Sequence, residues 1–194
     1  MVSQKVPPFA VEVGGILLPK PISGHPALEL CNTVAGWDDP PERRKEWLTT
    51  PAHLATWASF TGLAHQRADD TVLAEVRELR DVAYRLLRHR DETAFPALAR
   101  YADDANAHTT LTRADDGSVR FALTRDDLLH AAALAVVNLL GRPERDTVRA
   151  CPGEGCGWLF LDPRGRRVWC SMAACGNRVK VRAHAARKRQ APMP

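Results

Sequence analysis

An α+β fold, mainly helical over its first three quarters and closed by a small cysteine-organised module, is predicted by three observations. Apolar residues recur at helical spacing through residues 50–63, 70–90 and 126–140. The chain alternates in character on either side of Asp116-Gly117, as a two-stranded hairpin does. Four of the five cysteines fall in the last quarter as Cys151-x4-Cys156-x13-Cys170-x4-Cys175, and a basic stretch ending in Arg187-Lys188-Arg189 follows them.

Residues 1–26 hold five of the fourteen prolines and the Gly14-Gly15 pair, set around Val11, Val13, Ile16, Leu17 and Leu18, which predicts a short strand or extended arm. Residues 25–33 read as a short helix ending near Gly36. The polar segment 37–46, broken by Asp38-Asp39-Pro40-Pro41, is a loop long enough to line a cleft. Thr50-Pro51 supplies an N-cap and a first-turn proline to a helix that carries Leu54, Trp57 and Ala58 towards a stop at Gly62. A longer helix over 70–90 has Val72, Leu73, Val76, Leu79, Val82, Ala83, Leu86 and Leu87 as a wide stripe, and the two should pack together. A third helix spans 93–107 if Pro96 sits in its first turn. After the 111–123 hairpin comes a helix over 126–140, capped by Thr124 or Asp126 and ended by Gly141 and Pro143. Residues 131–140 are apolar almost all round, so this helix is predicted to be the central one, although the same surface would suit a homodimer seam.

At 194 residues and 45% hydrophobic content, the chain suffices for one ordinary domain and a smaller appendage without a membrane partner. Residues 1–8 carry one lysine and two prolines with no long apolar run behind them, so a secretory or transit segment is not expected and a cytoplasmic, thiol-reducing setting is. The net charge of +4 conceals a division. Residues 151–194 hold nine Lys/Arg against Glu154 and Asp162, a net of +7, whereas the rest hold 18 basic and 21 acidic residues, a net of −3. A polyanion-binding appendage on a mildly acidic body is the expectation, divided as 1–146 and 147–194.

Paired cysteines in a reducing compartment more often hold metal than form disulfides, and zinc asks for four soft ligands in a tetrahedron. Cys151, Cys156, Cys170 and Cys175 are the candidate ligands; rubredoxin-like iron would more typically use Cys-x2-Cys knuckles. Between the pairs, Asp162-Pro163-Arg164-Gly165 fits a type I turn, so Trp158–Leu161 and Arg166–Trp169 should fold back on each other. Knuckle, hairpin and then helix is the order of a treble-clef-like zinc finger. On that helix Val179, Ala183 and Ala186 form a narrow apolar side that could lie on the hairpin, while Arg178, Arg182 and Arg189 share one flank and Lys180, His184 and Arg187 another. Candidate DNA contacts are Arg166 and Arg167 before the second cysteine pair, and Asn177, Arg178, Lys180, Arg182, Arg187, Lys188 and Arg189 after it.

Cys175-Gly176-Asn177-Arg178, with a cysteine five positions earlier, the upstream Cys-x4-Cys and the basic helix, resembles the signature of the CGNR zinc finger family. Upstream, Leu28-Glu29-Leu30-Cys31-Asn32-Thr33, the helix start around residues 48–57 and Gly62-Leu63 resemble the ABATE domain that usually accompanies this finger. The resemblance implies a bacterial stress-response transcription regulator whose N-terminal domain senses a small molecule and whose finger binds DNA. It also implies the four cysteines as zinc ligands and places the family's Asn-Thr pair on Asn32 and Thr33.

Three function classes compete. A DNA-binding regulator with a ligand-sensing body is favoured, Asn32, Thr33, Trp37, Asp38 and Arg43 being the candidate small-molecule contacts. A zinc-stabilised protein-interaction module would use Trp158, Phe160 and Trp169 as anchors, although those rings also suit a mini-core around the metal; RNA binding is a further alternative. An enzyme is the weakest reading: His25, His53, His65, His89, His108 and His130 form no metal-binding pair in sequence, Cys31 sits among apolar neighbours, and no nucleophile-elbow, Walker or Rossmann glycine pattern occurs.

Overall fold

The computed structural model describes residues 6–64 and 68–190; the start of the N-terminal segment, His65 and the last four residues of the finger region lie outside them. The described residues are about half helical and form four separate two-stranded antiparallel sheets. The proline-rich N-terminus is a hairpin rather than a single strand: β1 (Ala10–Val13) returns as β2 (Ile16–Pro19). Gly14 and Gly15, at φ +57° and +80°, supply the two left-handed residues that a two-residue hairpin turn requires.

Helix α1 (Pro26–Cys31) starts at His25, whose imidazole Nδ1 accepts from the Ala27 amide at 3.2 Å. The predicted loop that follows is pinned at both ends, because β3 (Val34–Ala35) pairs with β4 (Lys45–Glu46). Arg80 holds this excursion from below, donating to both carboxylate oxygens of Glu46 at 2.8 Å and to the Thr33 hydroxyl at 3.2 Å. With its guanidinium almost wholly buried, such a bidentate pair fixes geometry more than it adds stability.

Helix α2 (Pro51–Phe60) is capped by Thr50 and packs on α3 (Asp70–Tyr84), as their stripes predicted. Helix α3 continues as a π-turn, Arg85–His89, until Arg90 at φ +54° ends it. Helix α4 (Phe95–Ala107) tolerates Pro96 in its first turn, and the hairpin of β5 (Thr109–Arg113) and β6 (Val119–Leu123) has the expected register around Asp116-Gly117. The cap of α5 (Leu128–Leu140) is neither Thr124 nor Asp126 but Asp127, the residue whose extended backbone lets its carboxylate accept from the His130 amide. Helix α5 lies against α1, α3 and α4 and contributes Leu128, Ala132, Ala133, Val136 and Leu139 to the core. None of the helices among the described residues is long and apolar enough to cross a membrane.

Strands β7 (Val148–Ala150) and β8 (Leu159–Leu161) follow, then a π-turn, Met172–Gly176, and α6 (Asn177–Gln190). The ladder forms between the strands that flank the first cysteine pair, not across the Asp162 turn as the spacer pattern suggested. That turn exists, with Gly165 N bonded to Asp162 O and the Asp162 carboxylate accepting from the Arg166 and Arg167 amides. The reason is edge occupancy. The outward amide and carbonyl of Leu159 are taken by the Asn32 side chain, and the Leu161 amide by Ser23 O, so residues 166–169 find no free edge. Trp158, Leu159 and Phe160 accordingly join the same core cluster as Leu28, Leu79 and Leu128.

Candidate metal centre

The first cysteine pair sits in the turn between β7 and β8. Cys151 N donates to Trp158 O at 2.8 Å and Cys156 N to Gly153 O at 2.8 Å, which closes a tight knuckle. The glycines of this turn are there for space. A Cβ on Gly153 would stand 2.9 Å from the Cys175 sulfur, and one on Gly155 only 2.5 Å from the Asp39 carboxylate. The second pair is set by the π-turn, with Gly176 N bonded to Ser171 O and the Arg167 guanidinium donating to the Cys170 carbonyl. Arg167 therefore departs from the free cation expected of it: its fork is turned inward onto Cys170 and Trp169, over the Phe160 ring at 4.3 Å, and burial lowers its pKa.

All four sulfurs lie within 4.8 Å of one another. Two of the separations are 3.7 Å (Cys156 to Cys170) and 3.6 Å (Cys170 to Cys175). A regular tetrahedron with zinc–sulfur bonds of roughly 2.3 Å has sulfur–sulfur edges of about 3.8 Å, so the cage has the size of that ion. Three of the four cysteines are buried and none forms a disulfide. Four thiols this close cannot all ionise without a cation: hydrogen bonds from its neighbours push Cys151 down, while the bonds to Cys151 push Cys156 and Cys170 up. A divalent ion removes that conflict, and four protein ligands leave it no open position, as in structural sites.

The body clamps this knuckle from the side. Trp37 N donates to Cys156 O at 3.2 Å, the Tyr84 hydroxyl to Gly157 O at 2.8 Å and the Trp158 indole to Val34 O at 2.7 Å. The Trp37 ring stacks on Tyr84 with centroids 3.9 Å apart, and its indole N–H donates to Cys31 O. Asn32 is fully buried on Leu159, and Thr33 is buried between Leu30 O and Arg80. Asn32, Thr33 and Trp37 are thus placed inside the seam between body and finger, whereas Asp38 and Arg43 are exposed on the loop above it. Cys31 is a core residue, its thiol pushed up to about 12 by burial. Trp158 and Phe160 are buried and Trp169 is partly so, which places the three rings in packing. Sequence reasoning passed over Ser23, Val34 and Tyr84, whose polar atoms are main-chain carbonyls or the end of an apolar stripe and carry no motif.

A cleft of about 200 Å³ opens beside the cage. Asp39, Arg43 and Lys45 wall it from the body, and Glu154, Cys156 and Arg178 from the finger. Beyond it α6 leaves the metal centre with residues 177–184 and 187–189 exposed, Val179 and Val181 at 39% and 68%, so the apolar side expected to lie on a hairpin faces solvent over its first half. Arg182 pairs with Glu154; among the described residues Arg166, Arg178, Lys180, Arg187, Lys188 and Arg189 are exposed and make no ion pair.

A helical body sharing its core with a closed four-cysteine cage and trailing a cationic helix defines a zinc-finger protein. The model of the CGNR zinc finger matches residues 147–188, and that of the ABATE domain, described as "Putative stress-induced transcription regulator", matches residues 24–143. The chain belongs to the ABATE family and carries a CGNR zinc finger, in which Cys151, Cys156, Cys170 and Cys175 form the cluster that fits zinc. A search of curated proteins finds no match to the chain.

Proposed function

We propose that this regulator acts by binding DNA through α6 and that a small molecule in the cleft beside the zinc cage sets how α6 is presented. The observation that carries the reading is the contrast between a finger hydrogen-bonded into the body and a helix that leaves it bare, with its cations free of carboxylates except at Arg182. Arg178, Lys180, Arg187, Lys188 and Arg189 would meet phosphates from both flanks of α6, with Arg166 reaching a further one and Asn177 offering its amide at the helix start. The helix on its own is short and polar, so the zinc cage at its root would give it direction.

The cleft supports the sensing half. Arg43, Lys45 and Arg178 face Asp39 and Glu154 around a volume suited to a small zwitterion or anion. A ligand there would touch the loop that holds Cys156 and the first turn of α6 together. Of the residues predicted as ligand contacts, Arg43 is the one on the cleft wall.

The test is a mobility shift with duplexes selected from a randomised library by the zinc-loaded protein, repeated across salt. Each phosphate neutralised contributes roughly −0.9 to the slope of log affinity on log salt. A slope of about −3 or steeper, shallower in Arg178→Ala and Lys180→Ala, is the expected result. A flat response, or retention of partner proteins through Trp169 with the arginines removed, would replace the DNA reading by that of an interaction module.

A further inference from the structure

We infer that the body carries a second metal site, for a divalent transition ion of the zinc–cobalt class, built from Asp104, His108 and His130. In sequence these residues are scattered; the fold brings one ligand atom from each within 4.8 Å of the others. Asp104 and His108 are four residues apart at the end of α4 and so share a face, while His130 comes from the first turn of α5 across the β5–β6 hairpin. His130 Nε2 stands 3.0 Å from the Asp104 carboxylate, and the two imidazole rings lie 4.7 Å apart at their centres.

The outer partners favour a metal over a simple ion pair. A metal-binding imidazole presents one nitrogen to the ion and donates its other N–H to a carbonyl or carboxylate. His108 Nδ1 lies 2.9 Å from the Asp104 backbone carbonyl, which leaves its Nε2 as the free lone pair. His130 Nδ1 faces the Asp127 carboxylate at 3.6 Å, and that carboxylate also caps α5 and lies 3.6 Å from Arg125. At that distance His130 Nδ1 is a buried nitrogen with no hydrogen-bond partner, in a residue only 5% exposed. An ion drawing on Nε2 makes the Nδ1 proton a stronger donor and gives that nitrogen a reason to close on Asp127.

Two imidazole nitrogens and one carboxylate are a ligand set for zinc or cobalt with open positions for water. Asp104 is exposed and His108 half-exposed, so an ion could enter from solvent; the His108 ring, stacked on His130 with an interplanar angle of 22°, would swing out of that stack to bring its nitrogen to the ion. Bound there, the ion would tie the end of α4 to the start of α5. None of these residues belongs to the cysteine cage, the cleft or α6, so the site stands independently of the DNA reading.

The experiment titrates the zinc-loaded full chain with Co²⁺, following calorimetry, visible absorption and melting temperature. One Co²⁺ per chain is expected beyond the cage zinc, with weak d–d bands, no sulfur charge-transfer band and a raised melting temperature. Asp104→Asn and His108→Ala, both at exposed positions, should abolish it while keeping the cage zinc by elemental analysis. Asp127→Asn retains the helix cap and should weaken binding roughly tenfold or more, as losing an outer partner does. No Co²⁺ bound outside the cage, entry into the thiolates reported by charge-transfer absorption, or unchanged binding in Asp104→Asn would each overturn the site.

Discussion

The side-chain amide of Asn32 donates to the Leu159 carbonyl at 2.9 Å and accepts from the Leu159 amide at 2.8 Å, so one residue of the body occupies the outer edge of a strand in the zinc finger. Both groups are buried, and no backbone of the finger replaces them. Body and finger are joined as a strand is joined to a sheet.

Asn32→Ala is expected to destabilise the zinc-loaded protein by about 2–6 kcal/mol, since it strands a buried N–H and a buried C=O at roughly 1–3 kcal/mol each. Asn32→Asp should recover little, because a carboxylate accepts from Leu159 N but faces Leu159 O without a proton. Urea unfolding at fixed zinc concentration measures both.

Two left-handed glycines of the finger, one beside the first knuckle and one in the Asp162 turn, differ in what they forbid. Gly157 is at φ +63° and a Cβ there would lie 2.6 Å from the Trp37 Cβ and 2.8 Å from the Tyr84 hydroxyl; Gly165 has the same φ with nothing within 4 Å. Gly157→Ala should therefore cost about 3 kcal/mol or more, and Gly165→Ala only about 1–2 kcal/mol for the left-handed backbone. Equal losses would mean that the clash is relieved by movement of the seam.

Removing the ion should unmake the cage and the start of α6. Chelation, or Cys170→Ser, is expected to lower the melting temperature and to reduce helical circular dichroism by the contribution of α6, whose polar sequence is marginal alone. Retention of the full helical signal after verified loss of zinc would show that the helix stands without it.

His25 gives the fold a pH dependence. Burial, outweighing the Asn138 hydrogen bond, lowers its pKa from 6.5, and the neutral ring is what accepts from Ala27 N. The unfolded chain then binds the proton more readily, so this contribution is complete above about pH 6.5 and falls as the pH drops towards the lower folded-state value. His25→Asn keeps an N-cap that does not titrate there. Its stability relative to the parent should rise on going from pH 7.5 to pH 5, measured by denaturation at each pH.

Glu154 neutralises Arg182 at the root of α6. If α6 tracks phosphates, Glu154→Gln should steepen the salt slope of DNA binding by roughly 0.9, the contribution of one more cation. An unchanged slope in a variant that still binds zinc would take Arg182 out of the interface.

The sequence by itself determined the helices, the Asp116-Gly117 hairpin and the zinc ligands, because each rests on short-range chemistry. Apolar spacing, a capping Thr50 and matched cysteine pairs act through neighbours a few residues away. It misplaced the hairpin of the finger, and it offered Asn32 and Trp37 as small-molecule contacts without anticipating their bonds to the finger, for the opposite reason. The edge of β8 is claimed by a side chain 127 residues earlier, and nothing local to either partner announces that pairing. The Asp104, His108 and His130 cluster is of the same kind: its Asp-x3-His half is visible on a helix end, but His130 arrives only when α4 and α5 pack. Local spacing fixes which groups a segment offers; only the closing of the core decides which of them meet.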